Sequence, residues 1–212
     1  MEKEAEKKVV TKIGNKNIVK KKHDQIIRAA GELFAKKGYH STSMRGISEA
    51  SGINLSYLYH YVSSKDDILY LFYLKLHEDI NFLYQQLENS KNEDPIEQLK
   101  NFIKLFLEYT HKRKDEMLTI YTESRHLNRD SLYAVLSIES QRVKSIEKLI
   151  SRGIQKGYFR TDSPHMVSNI IQYMLLIEPL RGWNFRHEYT FTRFSELITD
   201  LILKALDVKE EK

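Results

Sequence analysis

Between Asn54 and Lys65 the chain carries asparagine, serine, tyrosine, histidine and lysine, side chains that hydrogen-bond base edges and phosphates. At helical spacing Asn54, Ser56, Tyr57, His60 and Tyr61 share one side, while Ile53, Leu58 and Val62 make a packing side opposite. Just upstream, Ile47, Ala50 and Ser51 give a second short helix its own apolar or small face. Gly52 stands between the two, where the backbone needs a positive φ. Two short helices at a tight glycine turn form a helix-turn-helix, whose second helix can lie in the major groove of DNA. The tyrosines leave an alternative open: Tyr57, Tyr59 and Tyr61 can equally serve packing, and this spacing turns about one of the three toward a core. Tyr59 is the expected phosphate contact and Tyr61 fits either role.

Catalysis finds little support. The histidines at 23, 40, 60, 77, 111, 126, 165 and 187 form no helical H-x-x-x-H or H-x-x-E-H pair. His77, Glu78 and Asp79 are the densest cluster, but adjacent residues point to different sides of a helix. The chain has no phosphate-binding glycine loop and no G-x-S-x-G, and the absence of cysteine excludes thiolate zinc sites, iron–sulfur clusters and disulfides. No enzyme activity, cofactor or metal is expected.

These side chains need helices to position them. Three prolines, eight glycines and apolar residues recurring at three and four predict an all-α protein. The first helix is expected from about Lys20 to Lys37, buried through Ile26, Ala30, Leu33 and Phe34 and stopped at Gly38. After the helix-turn-helix, Ser64 caps a long helix reaching about residue 88, with Asp66 and Asp67 complementing its dipole. Further helices are expected near 95–112, 115–126, 130–156, 164–186 and 190–207, with Pro95 and Pro164 at helix starts and a kink at Pro179. No stretch approaches eighteen consecutive apolar residues and no signal-peptide pattern opens the chain, so a cytoplasmic protein without membrane contact is expected.

Charge is unevenly placed. Residues 1–22 hold eight lysines and three glutamates, 8 − 3 = +5, which equals the net charge of the whole chain. This segment reads either as a flexible arm neutralising phosphates or as a solvated terminus. Its basic residues are all lysine, which suits loose phosphate contact better than minor-groove reading.

Residues 24–72 resemble the DNA-binding domain of TetR-type transcriptional regulators. The likeness runs in order through F-A-x-x-G-Y (Phe34, Ala35, Gly38, Tyr39), T-S-M-x-x-I (Thr42, Ser43, Met44, Ile47), S-G-I (Ser51 to Ile53) and L-Y-x-Y-V-S-S-K (Leu58 to Lys65). Ser48 and Ser51 depart from the family's usual alanine and Val62 from its usual phenylalanine, changes expected to bear on stability more than function. The resemblance implies phosphate contacts at Thr42 and Arg45, base reading by Asn54, Ser56 and Tyr57, and backbone clamps at Tyr59, His60 and Lys65. It further implies a three-helix head (23–66) behind the basic tail (1–22), joined to an all-helical ligand-binding and dimerisation domain (67–212).

Within that body, Ile120 to Leu127 and the run Gly153-x-x-x-Gly157-Tyr158-Phe159 resemble TetR-type regulators of fatty-acid and acyl-CoA degradation. A small apolar effector such as an acyl-CoA is implied. Phe106, Tyr109, Ile120, Tyr121, Leu136, Tyr173, Met174, Ile177 and Trp183 are the candidate cavity lining, and Arg125, Arg181 and Arg186 are candidate phosphate partners. Plain core packing, or an ion pair of Glu123 with Arg125, is the alternative. A helix-turn-helix protein usually reads two half-sites of a palindromic operator, so a homodimer is expected. Met166, Ile170, Tyr173, Phe194, Leu197, Ile198, Leu201 and Ile202 would form its four-helix interface. The competing reading is a DNA-binding protein controlled by a protein partner or a different ligand.

Overall fold

The computed structural model describes residues 9–90 and 94–208, and among these all regular structure is helical. The elements are α1 (Lys16–Ser41), α2 (Met44–Ser51), α3 (Leu55–Tyr61), α4 (Lys65–Asn89), α5 (Pro95–Lys112), α6 (Lys114–Glu123), α7 (Arg129–Gln155), α8 (Pro164–Met174), α9 (Ile177–Phe185) and α10 (Phe191–Ala205), with a 3-10 turn at Ser124–His126 between α6 and α7. No helix among the described residues is long and apolar enough to cross a membrane.

Two boundaries differ from those read in the sequence. α1 begins at Lys16 rather than Lys20, because the Asn15 side chain accepts from the backbone N–H of Asn17 and Ile18 and starts the helix one turn early. Residues 16–22, assigned above to a flexible tail, are therefore helical. The single helix expected at 164–186 is two, α8 and α9. A proline at 179 cannot bond the Leu175 carbonyl four residues back, so the chain breaks at 175–176 and restarts with Pro179 in the first turn of α9. Thr110 Oγ1 donates to the released Leu175 carbonyl at 3.5 Å.

The chain divides into two compact units. The first comprises residues up to Glu78 together with Asp115–Ile138, and the second Asp79–Lys114 and Glu139 onward. Hence 67–78 and 115–138, given to the body on sequence, group with the head. The reason is apolar: Ile120, Leu127, Ala134 and Val135 join Ile26, Phe34, Ile47, Leu58, Ile68, Leu69 and Phe72 in one buried cluster. Each such large aliphatic side chain, fully buried, contributes about 1.5–3 kcal/mol.

The second unit has its own buried set, including Tyr84, Phe102 and Phe106, whose rings meet edge-on or tilted at 5.0–6.2 Å. The boundaries between the units fall within α4 and within α7.

Candidate nucleic-acid interface

α2 starts at Ser43, whose hydroxyl accepts from Gly46 N at 3.1 Å, and ends at Gly52, left-handed at φ 65°. That reversal lets Gly52 N reach the carbonyls of Ser48 and Glu49 and turns the chain into α3. Ser48 and Ser51, both buried, help hold the turn. Ser48 Oγ donates to Ile53 O at 2.6 Å and Ser51 Oγ to Ser48 O at 3.2 Å. Their hydroxyls are satisfied, so these departures from alanine carry no cost of a buried unpaired group.

Asn54 caps α3, its Oδ1 accepting from Ser56 N (2.9 Å) and Ser56 Oγ (2.8 Å). Leu58, Tyr61 and Val62 turn into the core. The three tyrosines thus separate: Tyr61 is 6% exposed, Tyr57 61% and Tyr59 43%. Asn54, Ser56, Tyr57, Tyr59 and His60 are all exposed on α3 and its cap, with the Tyr57 and His60 rings stacked at 5.6 Å. Arg45 is exposed on α2 and paired with Glu49 at 3.5 Å. A surface pair of this kind contributes under about 1 kcal/mol and yields readily to a phosphate.

Two of the expected contacts have other tasks. Thr42 is 2% exposed, and its hydroxyl donates to Gly38 O at 2.9 Å. The exposed hydroxyl at the start of α2 is Ser43, one residue on, which the sequence marks as a serine directly ahead of the helix. Lys65 Nζ donates to Tyr39 O (2.7 Å) and Thr42 O (2.8 Å), with His40 O at 3.5 Å, and lies 4.2 Å from the Tyr39 ring centroid. The helical backbone of α1 breaks near its end at Gly38 (φ 78°), leaving carbonyls at this corner without helical partners, and the ammonium bonds to them. Loss of water lowers the Lys65 pKa, opposed by the Glu123 carboxylate.

The same corner receives the segment after α6. Glu123 Oε2 accepts from Tyr39 N at 3.3 Å and lies 3.6 Å from His126 Nε2. The His126 ring stacks on Tyr39 at 5.3 Å and meets His40 edge-on at 4.1 Å. Desolvation holds the His126 pKa below its usual value, reinforced by His40, Arg125 and Lys65 and opposed by Glu123. Burial raises the Tyr39 pKa, with Asp66 and Asp67 adding to it. Asp66, at the start of α4, accepts from Asn128 N (2.6 Å), Asn128 Nδ2 (2.6 Å) and Ser131 Oγ (2.8 Å). Glu123, His126, Asn128 and Ser131, through Tyr39, His40 and Asp66, thereby tie the 123–131 segment to the end of α1 and the start of α4.

The ten expected effector contacts divide between the two units. Ile120 lies in the buried cluster of the first unit, where Tyr121, Leu136 and Arg125 are exposed, Arg125 Nε donating to His126 Nε2 at 3.3 Å. In the second unit Phe106 is core, while Tyr109, Met174 and Ile177 are half-buried. Tyr173 is exposed, and Trp183, 65% exposed, lies 5.4 Å from the Arg181 guanidinium. An open groove of about 430 Å³ in that unit is lined by other residues, among them Leu83, Leu87, Gln98, Phe102 and Leu105.

The sequence reading passed over the polar groups inside the second unit. The Tyr84 hydroxyl donates to Gln172 Oε1, Arg142 Nη2 to Asn81 Oδ1 (3.0 Å), and His111 Nδ1 lies 2.7 Å from Glu178 Oε1. Burial raises the Tyr84 pKa far above its usual value. The available signal was Gln98, Arg142 and Gln172 standing at positions where the helical period asks for apolar residues.

Of the expected dimer face, Met166, Ile170 and Tyr173 on α8 and Leu201 on α10 are exposed. Phe194, Ile198 and Ile202 are buried within their own chain and serve its core.

Residues 26–70 match the model of bacterial regulatory proteins of the tetR family, and residues 92–176 match a tetracyclin repressor-like C-terminal domain. The chain is 24% identical over 194 residues to the HTH-type transcriptional regulator HbdR of Aromatoleum sp. (strain CIB), covering 91% of this chain and 82% of that protein. It is 22% identical over 191 residues to the fatty acid metabolism regulator protein of Bacillus subtilis (strain 168), covering 89% and 97%. A tetR-family regulatory protein from Rhodococcus RHA1 shares the fold at a TM-score of 0.80 and 18% identity, covering 90% of this chain and 99% of that one.

Proposed function

This chain belongs to the TetR family of transcriptional regulators, and from that we propose a cytoplasmic homodimeric repressor that binds a palindromic operator and is released by a small apolar effector such as an acyl-CoA. The observation that carries the reading is the split of α3. Asn54, Ser56, Tyr57, Tyr59 and His60 face outward while Leu58, Tyr61 and Val62 anchor the helix from behind. An anchored helix with a polar, aromatic outer side is what direct readout in a major groove requires.

Dimerisation is supported by the exposed apolar stripe Met166, Ile170 and Tyr173, which recurs at four and three along α8. The effector class is supported by the likeness to a fatty acid metabolism regulator. A route for its action is supported by the ties of Glu123 and Asp66, which bind the 123–131 segment to the helix-turn-helix corner. An effector preferring an arrangement that fits DNA poorly, with a coupling of about 1–3 kcal/mol, lowers operator affinity roughly 5- to 150-fold. A second reading, control by a protein partner, is favoured by the openness to solvent of the groove at residues 83–105.

The test is fluorescence anisotropy of the protein on DNA from upstream of its own gene, at fixed salt, against acyl-CoA thioesters of graded chain length. Release by one length class supports the effector assignment. Tight binding that no thioester disturbs rejects the acyl-CoA and leaves the regulator reading in place.

A further inference from the structure

Resting on the DNA-reading assignment of α3, we infer that the stretch around Lys12 is a second DNA-contact element, docked beside the recognition helix and adding a cation where the helix-turn-helix has few. The first observation is a shortage of positive charge. Between Ser43 and Val62 the only lysine or arginine is Arg45, matched by Glu49, so the motif is electrically neutral apart from His60. The nearest lysine downstream, Lys65, spends its ammonium on the carbonyls of Tyr39 and Thr42. A face that meets a polyanion without cations of its own has little of the electrostatic affinity on which DNA binding usually rests.

The second observation is where the charge sits. Residues 1–22 carry the net +5 of the whole chain, and Thr11 and Lys12 reach α3. Lys12 N donates to His60 O at 2.9 Å, and Thr11 Oγ1 donates to the same carbonyl at 3.1 Å. That carbonyl belongs to the last turn of a seven-residue helix, where carbonyls have no helical partner, so the segment caps the recognition helix as it passes. Ile13 N donates to Thr11 Oγ1 at 3.2 Å, and Val9 and Ile13 pack against the buried cluster of the head. The Lys12 residue is exposed immediately beside His60, itself exposed on α3. Lys3, Lys7 and Lys8 precede this anchor in sequence. The anchoring thus places Lys12 at the end of the recognition helix, where phosphates flanking the bases it reads would lie.

The experiment is the salt dependence of binding by the full-length protein to a duplex from upstream of its gene, for wild type, Lys12→Ala, Lys12→Arg and the combined Lys3→Ala, Lys7→Ala, Lys8→Ala, Lys12→Ala variant. Circular dichroism and melting confirm that each is folded. The slope of log affinity against log salt is expected to fall by about 0.9 for each lysine that contacts a phosphate. Lys12→Arg should keep the wild-type slope, and trimming the duplex flanks should bring wild type toward the combined variant. A combined variant with the wild-type slope overturns the inference while leaving the DNA-reading assignment intact. Wild type that binds no duplex overturns both.

Discussion

Replacing Lys65 by alanine separates two roles for one ammonium: the phosphate clamp implied by family resemblance and the internal strut found here. Lys65 Nζ makes two short charge-assisted hydrogen bonds, to Tyr39 O and Thr42 O, and a longer approach to His40 O. Hydrogen bonds to charged groups contribute about 1.5–3 kcal/mol each when well buried. The corner is only half-buried, so water can replace part of the loss, and the lower end applies to the pair, about 2 kcal/mol in total. The expected result is a loss of that size in urea denaturation monitored by circular dichroism. Affinity for specific and non-specific DNA should drop together, because the α1–α2 corner loosens. The salt slope should remain that of wild type, since no phosphate contact is removed. A slope lower by about 0.9 with unchanged stability would refute the strut and restore the clamp.

Other consequences follow from the same corner and from the body. Asp66→Ala removes the acceptor shared by Asn128 and Ser131, and should leave operator affinity near wild type while reducing effector-driven release several-fold in the anisotropy assay. The His126 pKa is lowered in the fold, so protonation opposes the native state. The neutral ring's contribution is complete above its ordinary value of 6.5 and is lost as pH falls below it toward the folded value. Melting curves of wild type and His126→Gln should therefore converge or cross below that pH and run parallel above it. Ile170→Glu places a charge in the exposed α8 stripe, and sedimentation should show monomer in place of dimer with the melting temperature little changed.

The parts legible in the sequence were those encoded locally. The glycine turn at Gly52 and the apolar backing of Leu58 and Val62 are short-range patterns, and they predict the helix-turn-helix directly. Pro95 and Pro164 likewise mark the starts of α5 and α8. What escaped depends on residues far apart in sequence. Lys65 meets the carbonyls of α1 more than twenty positions upstream, and Ile120 joins a cluster built from the first seventy-odd residues. No periodicity in α6 distinguishes an inward side chain packed in the head from one lining an effector cavity, and the ten proposed contacts divide between the two units. The early start of α1 is a different case: Asn15 caps it, but the lysines on either side read equally well as a solvated tail.

The most direct test of the account is selection of bound sequences from a random duplex pool by wild type, Asn54→Ala and Tyr57→Ala. Two inverted half-sites are expected for wild type. In each variant, base preference should relax at a few matched positions in both halves and stay intact elsewhere. A recovered site without two-fold symmetry, or preferences identical across all three proteins, would contradict the claim that this face of α3 reads the operator.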